Sequence, residues 1–105
     1  MLKNETRAVA PKLDIHGAFV RRADLSKASL RGANMSGADA TNAVFRGSDF
    51  AGALLRGTIL HGADLSDATN LTIEQLAEAS IDDRTILPPY IDRTKLRELV
   101  SSRHK

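Results

Sequence analysis

The sequence predicts an all-β solenoid, and three observations predict it. From Leu13 to Asp67 the chain divides into eleven five-residue units with no insertion or deletion: LDIHG, AFVRR, ADLSK, ASLRG, ANMSG, ADATN, AVFRG, SDFAG, ALLRG, TILHG and ADLSD. The first position is small, being Ala in eight of the eleven, while the third carries bulk at Ile15, Val20, Leu25, Leu30, Met35, Phe45, Phe50, Leu55, Leu60 and Leu65, with Ala40 the exception. All seven glycines of the protein fall at the fifth position. Apolar positions spaced by alternating steps of two and three match neither a helix nor a flat strand. They do match a three-residue extended piece, in-out-in, followed by a corner where Gly adopts positive φ without steric cost. A chain that turns the same way at every corner winds into a solenoid.

The units ADLSK, ANMSG and ADLSD, with GSDF, carry the pattern A-(D/N)-L-x-x, which resembles the pentapeptide repeat family. That resemblance implies a right-handed quadrilateral β-helix with four units per coil, so that residues twenty apart stack. The implied inward columns are Ile15-Met35-Leu55, Val20-Ala40-Leu60, Leu25-Phe45-Leu65 and Leu30-Phe50-Asn70. Ala40 would then face Phe50 across the axis and Met35 would face Phe45, large against small, as a core of fixed width requires. Just under three coils at about 4.8 Å each make a rod roughly 15 Å long.

Composition bounds the rest. One hundred and five residues make one domain. With no cysteine there is neither a disulfide frame nor a thiolate metal site. No apolar run approaches a membrane span and MLKNETRAVAPK lacks an apolar signal core, so a cytoplasmic protein without membrane contact is expected. The net charge of +2 is unevenly placed: residues 13–72 hold six Lys/Arg and six acids, whereas 91–105 hold five against two. A basic end is read as solubilising, with weak nucleic-acid binding through the basic termini as the alternative; with four aromatic residues and no Arg/aromatic interleaving, nucleic acid is not the expected partner.

In chain order, residues 1–12 form a flexible lead-in that closes at Pro11 and is too short and polar to cap the first coil. Residues 13–70 form the β-helix. Its second positions are mostly Asp or Asn, and a short carboxylate beside a turn accepts backbone N–H bonds. Phe19, Val44, Leu54 and Ile59 break that rule by being apolar. Phe19 and Ile59 share a side with Leu54 on the next, so a packing partner is expected there, either the chain's own tail or another protein.

Residues 71–105 form a helical cap and tail. Asn70 in an inward slot signals the end of the stack. Thr72 followed three residues later by Gln75 is a capping box, opening a helix of about two turns that lies over the last coil. The stretch LTIEQLAEASIDDRTILPPY also resembles tails that follow the repeats in many bacterial members of the family. Asp82-Asp83 and Pro88-Pro89 read as an extended linker. Asp92 caps a second helix from Arg93 to about Ser102, with Leu96, Leu99 and Val100 as its apolar stripe. Alone it is too short to be stable, so it packs on the solenoid or on another chain.

No catalytic pattern is present: the histidines lack zinc-helix spacing, there is no nucleophile elbow or phosphate loop, and Asp64 with Asp67 read as structural. The sequence therefore points to a non-enzymatic structural or protein-interaction module with no cofactor and no metal. Its candidate interaction surface is Phe19, Leu54, Ile59, Leu96, Leu99 and Val100. Its partner is an unidentified protein or a second copy joined through the C-terminal extension. Some members of the family resemble duplex DNA and bind type II topoisomerases. Such mimicry needs a long acidic rod, and this one is short and neutral.

Overall fold

The computed structural model describes residues 12–103. The lead-in expected over 1–12 lies outside the described residues except for Lys12.

Eight parallel bridges set the architecture, from Asp14↔Asn34 and Phe19↔Asp39 to Asp49↔Thr69. Each joins second-position residues twenty apart, which is four units. The three-residue strand expected on each side contracts to this one bridged residue. A corner begins at once, because the third-position carbonyl accepts the N–H of the next unit's first residue, as Ile15 accepts from Ala18 at 3.0 Å. The fifth position between them is left-handed in every unit. Glycine adopts it at Gly57 (φ 70°), but so do Arg22 (59°), Lys27 (60°), Asn42 (60°) and Asp67 (60°). A positive φ at the third residue of a turn is the requirement of type II geometry, and it favours glycine without demanding it.

Hydrogen bonds between stacked units continue through the corners. Met35 N–H donates to the Leu54 carbonyl at 3.0 Å, Gly37 N–H to Arg56 at 2.9 Å, and Leu54 N–H to Ala33 at 2.8 Å. Inside, Leu30, Met35, Phe45, Phe50, Leu55, Leu60 and Leu65 are buried with the first-position alanines from Ala33 to Ala68 around them. The Phe45 and Phe50 rings sit 5.5 Å apart at a 57° tilt. Ser48 and Thr58 take the small position although they are polar, because their hydroxyls donate to the carbonyls of Leu25 (2.5 Å) and Met35 (2.6 Å). A buried hydroxyl with a partner carries little penalty.

The stack ends differently from the expectation. Asn70 does not occupy the inward slot. It turns left-handed (φ 58°), its amide donates to Asp49 at 2.9 Å, and Leu71 is buried instead. Keeping an amide in that apolar slot would leave it unpaired, so the chain rotates to satisfy it. Helix α1, Ile73–Glu78, follows with the capping box formed on both sides. The expected linker is not free chain either. Ser80 bridges to Ile59 and Ile86 to Asp64, and buried Thr85 donates to the Leu60 carbonyl at 2.8 Å. The tail therefore adds rungs to the ladder it was expected only to cover. Helix α2, Arg93–Arg103, starts at Asp92, whose carboxylate accepts the N–H of Thr94 at 2.8 Å, and it packs on α1. Among the described residues no helix is long and apolar enough to cross a membrane.

Candidate interaction surface

The outer surface is first a scaffold of local carboxylate turns. The side chains of Asp14, Asp24, Asp39, Asp49 and Asp64 each accept the N–H two residues on, at 3.0–3.2 Å, and Asn34 does the same to Ser36. These are the turn bonds that the sequence assigned to second-position acids.

The same acids have a second use that no local pattern reveals. Arg21 donates to Asp39 at 2.7 Å, Arg31 to Asp49 at 2.9 Å, and Arg46 to Asp64 at 3.4 Å. Each arginine is a fourth-position residue reaching the second position of the unit stacked on it, eighteen residues ahead. Arg56 has Glu74 at that spacing, yet pairs with Glu78 at 3.7 Å because α1 has replaced the regular unit. The eighteen-residue interval is visible in the sequence, but it means proximity only once the coil length is known. Asp39 is held at about 2 by the Thr41 hydroxyl and then by Arg21, and Asp49 at about 2 by the Asn70 amide, Arg31 and the Ala51 N–H. Asp67 is drawn into the same arrangement through Arg46 at 3.7 Å.

The six residues marked by the sequence separate into two groups. Phe19 and Ile59 share a side through the bridges Phe19↔Asp39 and Asp39↔Ile59, with Leu54 on the adjacent side above Asn34. Phe19 is 85% exposed and Leu54 54% exposed, while Ile59 is half-buried. The Arg21–Asp39 pair lies between Phe19 and Ile59, so the three do not form one continuous apolar patch. The second group lies on α2, where Leu96 is 3% exposed within the core cluster, Val100 packs against that cluster and Leu99 is half-buried. Leu54 lines a shallow groove with Gln75 and with Arg103 at the end of α2. Leu96 and Val100 instead line a shallow groove of about 340 Å³ with Leu76, Ala79 and Ile81. Ile86 and Tyr90, both exposed, also belong to the outer surface, and nothing in their local sequence distinguishes them from core residues.

Two described histidines have structural partners, His16 with Asp14 at 2.6 Å and His61 with Ser80 at 2.7 Å. Asp14 in turn raises the His16 imidazole above its ordinary value by accepting its hydrogen bond. Among the described residues no group of three or more His, Asp and Glu side chains converges.

The pentapeptide repeat family model matches residues 13–47 and 33–69, in eight copies. Among solved structures, the chain is similar to the pentapeptide repeat protein Rfr23 from the cyanobacterium Cyanothece 51142, with 22% identity and a TM-score of 0.64. That match covers 73% of this chain and 52% of Rfr23, so the chain spans about half the length of that protein. It also matches QnrB1, described as a plasmid-mediated fluoroquinolone resistance protein, at 22% identity over 87% of this chain and 42% of that one, with a TM-score of 0.41. A pentapeptide repeat protein of the Arabidopsis thaliana thylakoid lumen matches at 22% identity over 81% of this chain and 70% of its own, with a TM-score of 0.33. No curated protein matches the sequence. The family match spans the same residues that carry the twenty-residue stacking and the left-handed fifth positions, and with the likeness to Rfr23 it implies a right-handed β-helix. The chain belongs to the pentapeptide repeat family.

Proposed function

We propose that the protein is a non-enzymatic interaction module of the cytoplasm, a four-sided rod of about three coils that presents outward side chains to a protein partner and uses no cofactor. The observation that carries this reading is Phe19, 85% exposed on a surface whose other second-position residues are mostly tied into turns and ion pairs. A phenyl ring held in water by a rigid scaffold is a binding anchor, since burying it in a partner is worth roughly 1.5–3 kcal/mol. The partner is read as a different protein rather than a second copy, because Leu96 and Val100, which a swapped tail would offer, are packed within their own chain.

Affinity capture with the full chain tests this reading, comparing wild type with Phe19→Asp/Leu54→Asp at matched melting temperature. A protein retained by the wild type and lost by the variant supports the module; equal retention by both removes this surface as the site. Topoisomerase binding by DNA mimicry is disfavoured by the arginine–aspartate pairs that neutralise the repeat surface. Inhibition of purified gyrase at micromolar concentration would reverse that conclusion.

A further inference from the structure

The two ends of the rod are unlike. At the C-terminal end the tail supplies hydrogen bonds to the last regular units: Gly57 N–H donates to Glu78, Leu60 N–H to Ser80 and Leu65 N–H to Ile86, each at 2.8 Å. At the N-terminal end the described ladder begins with the bridge Asp14↔Asn34. Elsewhere a second-position N–H donates to a first-position carbonyl 21 residues earlier, as Asp39 does to Ala18 and Val44 to Ala23 at 2.9 Å. Among the described residues the N–H and C=O groups of Phe19 and Asp24 have no such partner. Ile15, Val20 and Leu25, inward in this first coil, are only partly buried.

Charge marks the same end. Residues 12–32 hold five Lys/Arg and two Asp. Arg21 and Arg31 reach forward to Asp39 and Asp49. The others, Lys12, Arg22 and Lys27, have no ion-pair partner among the described residues; Arg22 and Lys27 stand at fifth positions, the corners of the coil, and Lys12 immediately precedes the first unit. Lys12 lies against its stacked counterpart Gly32. Further along, fifth positions are Gly37, Asn42, Gly47, Gly52, Gly57, Gly62 and Asp67, without one cation. Arg22 and Lys27 hold left-handed backbone at φ 59° and 60°. Glycine adopts that region freely, Asn and Asp more readily than most, and a long basic side chain gains nothing from it. Residues held against their local conformational preference cluster at functional sites.

We infer that the N-terminal end of the rod is a docking end for a short acidic, extended segment of another protein. The inference rests on the interaction-module reading and names its partner's chemistry. The segment's backbone pairs with the open N–H and C=O of Phe19, one apolar side chain packs on the Phe19 ring, and its carboxylates meet Lys12, Arg22 and Lys27. Edge pairing supplies direction and the corner cations supply selectivity. Like charges disfavour a second copy stacked end to end. A single aromatic ring is too few for a nucleic-acid strand, which needs successive stacking surfaces.

The test uses the full chain, isotopically labelled, and the acetylated and amidated hexapeptide Glu-Val-Glu-Val-Glu-Glu beside its counterpart with Lys for every Glu. In the free protein the Phe19 and Asp24 amides exchange quickly with solvent while those of Asp39 and Val44 are protected. The acidic peptide shifts Phe19 and its neighbours saturably and the basic peptide does not. Arg22→Gly/Lys27→Gly relieves the left-handed strain, so its melting temperature is equal or higher, yet it binds the acidic peptide at least about tenfold less tightly. Equal binding by this variant, or by the basic peptide, overturns the inference. Tighter binding of oligo-dT overturns it in favour of nucleic acid. Protection of the Phe19 amide in the free protein also overturns it, showing that residues 1–11 or a second copy already hold the edge, which light scattering tells apart. If neither peptide binds while capture remains sensitive to Phe19→Asp/Leu54→Asp, the docking end falls and the interaction module stands.

Discussion

Arg21 Nε donates to Asp39 Oδ2 at 2.7 Å, although eighteen residues of chain separate them. That single bond joins one coil to the next on the outer surface, and the other oxygen of the same carboxylate, Oδ1, accepts the Thr41 hydroxyl at 2.6 Å and closes the local turn. Local turn and stacking of coils are thus fastened at one carboxylate. Asp39 is only 7% exposed, so little water competes for it.

The pH dependence of stability follows from this carboxylate and Asp49. Both are lowered from 3.8 to about 2, Asp39 chiefly by the Thr41 hydroxyl and then Arg21, Asp49 chiefly by the Asn70 amide and then Arg31. A carboxyl with a lower pKa in the folded state binds fewer protons folded than unfolded, so protonation favours unfolding. Their contribution is therefore complete above about pH 4 and is lost as the pH falls toward 2. Melting temperatures measured from pH 7 to 2 fall over that window, and Asp39→Asn/Asp49→Asn flattens the fall. An equally steep curve in the double variant refutes the assignment.

The phase of the repeat is tested by two alanines. Ala33 is fully buried at a first position, while Ala51 is partly exposed at a fourth. Ala33→Leu overpacks the core and costs about 1–3 kcal/mol. Ala51→Leu is close to neutral. Thermal or urea unfolding separates the two, and equal midpoints contradict the inward and outward assignment.

Gln75 separates the local reading from the tertiary one. As a capping-box residue it accepts the Thr72 N–H at 2.9 Å, and Glu performs that part equally well. Its amide nitrogen, however, donates to the Phe50 carbonyl at 2.9 Å, which also accepts the Ala53 N–H, and to the Ala53 carbonyl at 3.0 Å, which the ladder would otherwise leave open. A carboxylate cannot donate there. Gln75→Glu is expected to destabilise by about 1–3 kcal/mol at neutral pH, and a melting temperature equal to wild type shows that water serves those carbonyls adequately.

Truncation after Asn70 removes α1 and the rungs at Ser80 and Ile86, exposing the N–H groups of Gly57, Leu60 and Leu65 along with the end of the core. An open ladder beside apolar surface is a template for pairing between chains. The truncated protein is expected to aggregate, read by light scattering. A monomer as stable as the full chain shows that the extension is not a cap.

The sequence by itself determined the unit, the phase and the corner, because each of these is decided within five residues. A small first position, a bulky third and a left-handed fifth are local requirements, and Thr72 with Gln75 or Asp92 with Thr94 declare their helix starts over a similar span. The tertiary structure decided what twenty residues of winding bring together. Asp39 reads locally as a turn residue and becomes the acceptor of Arg21 only when four units close a coil. Asn70 reads as an inward residue by its phase, yet its amide finds Asp49 from the coil below and Leu71 takes the core. Pro88 and Pro89 read as linker, but open N–H and C=O groups on the preceding coil draw the neighbouring residues Ser80, Thr85 and Ile86 into the ladder. Local chemistry fixes backbone direction residue by residue, whereas unpaired polar groups on one coil select whatever donors and acceptors the winding delivers to them.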